Sequence, residues 1–297
     1  EGCPAALPEG WVCEKHILLG PYAQAPDADL AGAQLAGLDL SGLVLGDWSH
    51  SGDPYAFDWP ESDSTLAGAD LRGVNLSGAN LTAVDLAGAD LTGSTLEGVT
   101  AYSVQATGAI LEDVQFSGGT FGWFDLENLN ARNIQFESVS MYWPGPGAYN
   151  WSYTNLEGAR FINSGYQPDP WTKPGMDAWN WEGANLKGAT FVGCDMPANI
   201  FQDADLREAT FHGIDLSLSD FSGAQLEGAD LQSSILEGVI LVGVDLSGAN
   251  LGGANLTFAN LNEVTWGDAT CPDWTNASDN EGTCCGHLNG VTVSGCD

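Results

Sequence analysis

The chain has 297 residues, 40 Asp plus Glu against 7 Lys plus Arg, and a formal net charge of −33. Seven cations spread over that length cannot build a basic groove for phosphates or a patch for an anionic lipid surface, which excludes direct nucleic-acid binding and adhesion to acidic membranes. Hydrophobic residues make up 43%, enough for a core, and no run approaches the roughly 18 apolar residues of a membrane span.

In chain order, the first residue is Glu1 rather than Met, with no basic and apolar leader after it, so the sequence reads as a mature chain whose signal peptide has been removed. Residues 1–27 carry Cys3 and Cys13 but no repeat and are expected to form an N-terminal cap. From Leu30 a large apolar residue returns at every fifth position: Leu30, Leu35, Leu40 and Leu45, then Leu66 through Leu96 in one frame. The frame runs on through Leu111, Phe116, Phe121, Leu126, Phe136 and Met141, reappears at Leu156 and Phe161, and holds from Trp181 to Trp266. Two residues before each sits Ala or Val, as in Ala69, Val74 and Ala79; Asp, Asn or Thr lies between, and Gly often follows two after. The unit is A-(D/N)-L-x-G.

A helix buries positions at a period of 3.6 and a strand at 2.0, and neither generates five. A chain that turns a corner after each five-residue side does. Each side buries one large and one small residue, and four sides close one coil of twenty residues. The expected fold is therefore all-β, a quadrilateral parallel β-helix over residues 28–270 with about ten stacked coils. In that register Phe116, Phe136, Trp181, Phe201 and Phe221 fall on one side in successive coils, an aromatic stack.

Three segments break the repeat: 46–63, 142–153 and 164–178. Their Pro, Gly and Asp mark them as loops leaving corners of the coil. They concentrate aromatic residues, and Trp48, Tyr55, Phe57, Trp59, Trp143, Tyr149, Trp151, Trp171 and Trp179 are the expected contact residues for a partner protein, a further copy of the chain or a glycan.

Six of the seven cysteines flank the repeats. Cys3 with Cys13, Cys271 with Cys284 and Cys285 with Cys296 are the expected disulfides, although the last four cysteines allow other pairings. Cys194 occupies a small inner position and is expected to be a buried reduced thiol. Residues 271–297 form the C-terminal cap, where Asp273, Asp279 and Glu281 offer oxygen ligands for Ca2+, the one cofactor considered.

Repeats such as Ala229-Asp230-Leu231-Gln232-Ser233 and Ala249-Asn250-Leu251-Gly252-Gly253 resemble the pentapeptide-repeat family, which implies a right-handed coil. The lead-in Leu7-Pro8-Glu9-Gly10-Trp11 and the tail from Cys271 to Cys284 resemble the ends of secreted bacterial members, except that Trp274 stands where they usually have Gly. The resemblance implies a secreted or cell-surface bacterial location and carries no activity with it. No metalloprotease, hydrolase or phosphate-loop motif accompanies the four His residues, so no enzyme is expected.

The leading expectation is a non-catalytic extracellular structural or adhesive protein, in sharper form a self-assembling subunit of a surface filament or sheath that docks through its aromatic corner loops. The alternatives are an acidic DNA mimic that inhibits a topoisomerase, as in the quinolone-resistance members of the family, and a carbohydrate-binding module. The outward acids Asp70, Asp85, Asp90, Asp205, Asp230 and Asp245 are expected to stack into acidic stripes that need salt or divalent cations.

Overall fold

The computed structural model describes residues 3–4, 6–25, 28–45, 64–122, 129–142, 151–162, 165–166, 179–194 and 196–296. The chain falls into two compact units, Glu1–Gly145 and Pro146–Asp297.

The first unit begins with an antiparallel hairpin, β1 (Val12–Glu14) on β2 (Ile17–Leu19), in which Cys13 faces Leu18. Lys15 and His16 form the two-residue turn, both at positive φ, as a tight hairpin loop requires. The coil follows at once: Gln24 bridges Val44 in parallel, inside the segment expected to be cap. Four columns of bridges then run in step, through Val44, Asn80 and Thr100; Asp29, Thr65 and Asp85; Gln34, Asp70 and Asp90; and Asp39, Asn75 and Thr95. Partners within a coil stack lie 20 residues apart, as at Thr65 and Asp85, but 36 apart across the segment 46–63, as at Asp39 and Asn75. The columns keep their register through that jump. In places the bridges lengthen into three-residue strands: β3 (Thr95–Glu97) pairs with β5 (Gln115–Ser117) and β5 with β7 (Gln135–Glu137), while β4 (Thr100–Tyr102) pairs with β6 (Thr120–Gly122) and β6 with β8 (Ser140–Tyr142).

The unit A-(D/N)-L-x-G explains itself in this geometry. The Leu and the small residue both point inward and are buried, as at Ala69 and Leu71, or Val74 and Leu76. The Leu carbonyl accepts the N–H three residues on, closing the corner, as from Ala69 to Leu66 at 2.9 Å. The third residue of that turn takes positive φ, which favours Gly. The outward Asp or Asn accepts the N–H two residues on, as from Ser77 to Asn75 at 3.0 Å and from Ser247 to Asp245 at 2.9 Å. Short oxygen-bearing side chains recur there because they satisfy a corner donor that the coil ladder leaves over.

The second unit repeats the scheme. Asn185, Asp205, Gln225, Asp245 and Thr265 form one column, and Asn180, Ile200, Asp220, Ile240 and Asn260 another. A third starts from β9 (Arg160–Ile162) on β11 (Thr190–Val192) and continues through Thr210, Asp230, Asn250 and Thr270. Here the offset rises to 30 residues between Asn155 and Asn185 and along β9 and β11. A short strand, β10 (Gly165–Tyr166), lies inside the segment expected to be the third insertion.

Two aromatic columns fill the start of this unit. Trp151, Trp181, Phe201 and Phe221 stack in one, with ring centroids 5.2, 6.0 and 4.8 Å apart. Phe161, Phe191 and Phe211 stack in the other, at 4.9 and 4.8 Å, and the two columns meet edge to face. In the first unit Phe116 stacks on Phe136 at 5.0 Å. The sequence placed Trp181 directly after Phe136 in one column; the place before Trp181 belongs instead to Trp151.

The second unit ends in a cap that seals its last coil. Ser294 bridges Asn260 in parallel and Asn276 bridges Thr270 in antiparallel sense, so free edges of two sides are paired. Trp266, Leu288 and Cys284 close the core beneath. Gly295 is required by proximity, since a Cβ there would lie 2.5 Å from the backbone N of Asn262.

Candidate interaction surface

Of the nine aromatic contact residues expected from sequence, Trp48, Tyr55, Phe57, Trp59, Trp143, Tyr149 and Trp171 lie outside the described residues. The structure corrects the assignment of Trp151. It is 1% exposed and occupies the large inner position of a side, so it is core rather than contact surface. The physical reason is register. The coil resumes at Trp151, whose N–H bonds to the Asn180 carbonyl at 2.7 Å, so the loop ends before it. Trp179 is half-buried against Trp151 and Trp181, with centroids 6.4 and 5.6 Å away.

The disulfides are Cys3–Cys13, Cys271–Cys284 and Cys285–Cys296. Cys194 is buried at 6% exposure, its Sγ against the Phe161 carbonyl at 3.4 Å. Asp273, Asp279 and Glu281 are not gathered as a cation site, and among the described residues no group of three or more His, Cys, Asp or Glu could hold a metal ion. Asp273 is spent on the cap instead. It accepts from the Thr275 hydroxyl at 2.6 Å and the Thr275 N–H at 3.0 Å, and pairs with Nδ1 of His287 at 2.7 Å. The Thr275 hydroxyl leads these bonds in holding the Asp273 carboxyl down to about 2, with His287 and the Thr275 amide behind it. The hydroxyl points at the carboxylate rather than at the imidazole, so this trio braces a loop and presents no activated nucleophile.

The acids form broken stripes. Among the described residues Asp70 and Asp90 are the one bridged pair in which acid faces acid, and Arg72 spans them, 2.6 Å from Asp70 and 3.8 Å from Asp90. Elsewhere acids bridge neutral residues: Gln225 lies between Asp205 and Asp245, Ile235 between Asp215 and Asn255, and Ile240 between Asp220 and Asn260. Amides often donate to the neighbouring acid, as Asn75 to Asp39 at 3.0 Å, Gln202 to Asp220 at 2.7 Å and Asn250 to Asp230 at 3.3 Å. The continuous acidic ladder expected from sequence is thus diluted by its own Asn and Gln.

Two features escaped the sequence reading. Asn199 sits in a small inner position, 3% exposed, accepting from the Trp181 indole at 3.1 Å and donating to the Met196 carbonyl at 2.6 Å. Large apolar side chains also stand out of the surface: Tyr22, Tyr153, Leu218, Phe258 and Trp274 are each more than half exposed. All five lie at positive φ, the turn position where Gly is usual; that substitution, already visible in the sequence for Trp274, is the signal that could have found the other four. Trp274 lies over Gly252, and the Tyr153 hydroxyl donates to Glu182 at 3.1 Å.

The pentapeptide-repeat family model matches in eight copies, over residues 62–98, 200–238 and 240–265. Those three segments carry pentapeptide repeats. Among solved structures it is similar to HetL, a pentapeptide repeat protein of the cyanobacterium Nostoc involved in heterocyst differentiation regulation, at 22% identity over 84% of this chain and 93% of that one, with a TM-score of 0.36. It is similar to QnrB1, a plasmid-mediated fluoroquinolone resistance protein, at 21% identity over 62% of this chain and 90% of that one, with a TM-score of 0.27. A pentapeptide repeat protein of the Arabidopsis thaliana thylakoid lumen matches at 18% identity over 47% of this chain and 66% of that one, with a TM-score of 0.14. No curated protein matches. Among the described residues no helix of this chain is long and apolar enough to cross a membrane.

Proposed function

We propose that the protein is a non-catalytic structural or adhesive scaffold of an extracellular or cell-surface space, a right-handed stack of about ten coils that binds other proteins through its sides. The observation that carries this reading is the cap of the second unit. Cys271–Cys284 and Cys285–Cys296 brace a segment whose Ser294 pairs with the last coil at Asn260. Such bonds suggest an oxidising compartment. The pairing also occupies coil edges on which another copy could add, which directs association at that end to the lateral faces and loops. A sheath or filament built on this chain would therefore grow side to side, with the aromatic segments 46–63, 142–150 and 164–178 as docking elements.

Fractionating source cells and mapping thiols by non-reducing peptide mass tests this. The chain should be recovered from the extracellular or surface fraction with all six cap cysteines oxidised. Recovery from the cytosol with those thiols open to alkylation overturns the reading and returns weight to DNA mimicry, for which inhibition of gyrase supercoiling is the direct assay.

A further inference from the structure

One corner of the second unit departs from the chemistry its fold prefers at four positions together. Leu218, Gly238 and Phe258 occupy the same turn position in successive coils. The ladder links them, with Leu218 N–H bonding to Glu237 and Gly238 N–H to Thr257, both at 2.8 Å. All three have positive φ, at 60°, 67° and 61°. Gly238 adopts this without penalty, but a side chain there comes at a conformational cost. Burial does not offset that cost, since Leu218 is 56% and Phe258 67% exposed. Leu218 leans along the corner over Gly238, where a Cβ would meet its Cδ2 at 2.8 Å.

Ile235 and Ile240 flank the same corner on its two faces. Their column neighbours are Asp215 and Asn255, and Asp220 and Asn260. Each of those four accepts the N–H two residues on, at 2.9, 3.1, 2.9 and 3.2 Å. Isoleucine cannot accept, and Ile235 and Ile240 remain 43% and 36% exposed. So the corner gives up backbone ease at two positions and a turn hydrogen bond at two more, and gains an exposed apolar surface. Strain retained without core burial points to a use at the surface.

Charge says what covers it. Asp215 and Asp220 bridge the two isoleucines, Glu237 is exposed at the corner itself, and no Lys or Arg follows Arg207 in the sequence. Docking a second copy here would press acid on acid. We propose that this corner binds a cationic amphipathic segment of a partner protein, its apolar face on Leu218, Ile235, Ile240 and Phe258 and its Lys or Arg side chains on Asp215, Asp220 and Glu237. This deepens the scaffold reading by giving the partner's chemistry.

The test uses the full chain and, as probe, a labelled amphipathic Leu/Lys helix, with binding read by fluorescence anisotropy. Replacing both Leu218→Gly and Phe258→Gly should weaken binding at least about tenfold. It should leave the melting temperature unchanged or higher, because Gly relieves the turn. Ile235→Asn with Ile240→Asn should do the same by restoring the column's own residue type, while Tyr153→Gly at another corner should leave affinity intact. Equal binding by the double glycine variant overturns the proposal. So does an oligolysine without apolar residues that binds as tightly as the helix. A wild-type dimer that the glycine variant abolishes, with no helix bound, overturns it in favour of a second copy. A wild-type chain that does not bind the helix sinks this inference while leaving the oxidised, exported chain untouched; cytosolic recovery sinks the scaffold reading without touching the binding result.

Discussion

Asn199 occupies a slot that elsewhere holds Ala, and it does so because Trp181 brings an indole N–H into a core with little else to receive it. The amide oxygen takes that donor, the amide hydrogens go to the Met196 and Pro197 carbonyls, and the Asn199 N–H goes to the Ser219 hydroxyl at 3.0 Å. Asn199→Ala should cost about 1–3 kcal/mol in urea unfolding, the scale of one buried donor left unsatisfied. Converting Trp181→Phe in that background should recover part of the loss by removing the donor. Asp273 is the second residue with a sharp expectation. Its carboxyl is depressed from 3.8 to about 2, so its contribution is complete above its unfolded value and lost as pH falls through about 2. Protection of the amides in the loop around Thr275 and His287, taken relative to their intrinsic exchange rates, should fall between about pH 4 and pH 2, and Asp273→Asn should show low protection throughout. Trp151 marks where reading a sequence fails at this scale. Its neighbours Asn150, Ser152 and Tyr153 are polar or turn-forming, so composition assigns it to a loop. The five-residue frame from Leu156 back to residue 151 gives its true place.

At the level of elements, the coil was legible because five-residue spacing has one physical cause, a corner after every side. The identity of the outward residue was legible too, once the Asx bond to the corner N–H is recognised. Less legible were the second aromatic column and the joint between cap and coil. These depend on which side follows an insertion and on pairing between residues far apart, such as Asn260 and Ser294, and local pattern carries neither. The Cys285–Cys296 bond holds that pairing. Replacing both cysteines by Ser should lower stability by about 2–4 kcal/mol. It should also speed exchange at the Phe258 and Leu261 amides, which donate to Thr292 at 2.6 Å and Ser294 at 2.8 Å. Freed of its cover, the last coil presents a row of unpaired groups, so the same variant should oligomerise in sedimentation runs where wild type does not. An unchanged exchange rate at those two amides would mean the strand holds without its bond.

For the molecule as a whole the net charge of −33 remains the governing quantity, but the columns moderate it. Amides between acids donate hydrogen bonds where a solid acidic ladder would only repel, and Arg72 and Arg207 clamp Asp70 and Asp205, holding both carboxyls below their ordinary range. The guanidinium of each clamp is exposed to solvent, so its effect is small. The summed field is not. Screening sets in beyond ~8 Å at physiological ionic strength, so removing salt should lower the melting temperature by several degrees, and adding it back should restore it. A melting temperature indifferent to salt and to chelator would show that the amides have neutralised the repulsion altogether. The bridge offset has a different consequence. In the first unit partners sit 20 residues apart at Gln24 and Val44, then 36 at Asp39 and Asn75, then 20 again at Thr65 and Asp85, and the columns stay aligned. The fold counts corners and is blind to the length of chain between them. Doubling a loop costs only about 0.6 kcal/mol of closure entropy. A corner is thus a socket into which foreign sequence can be spliced, and a lineage can change what such a protein grips without redesigning what holds it up.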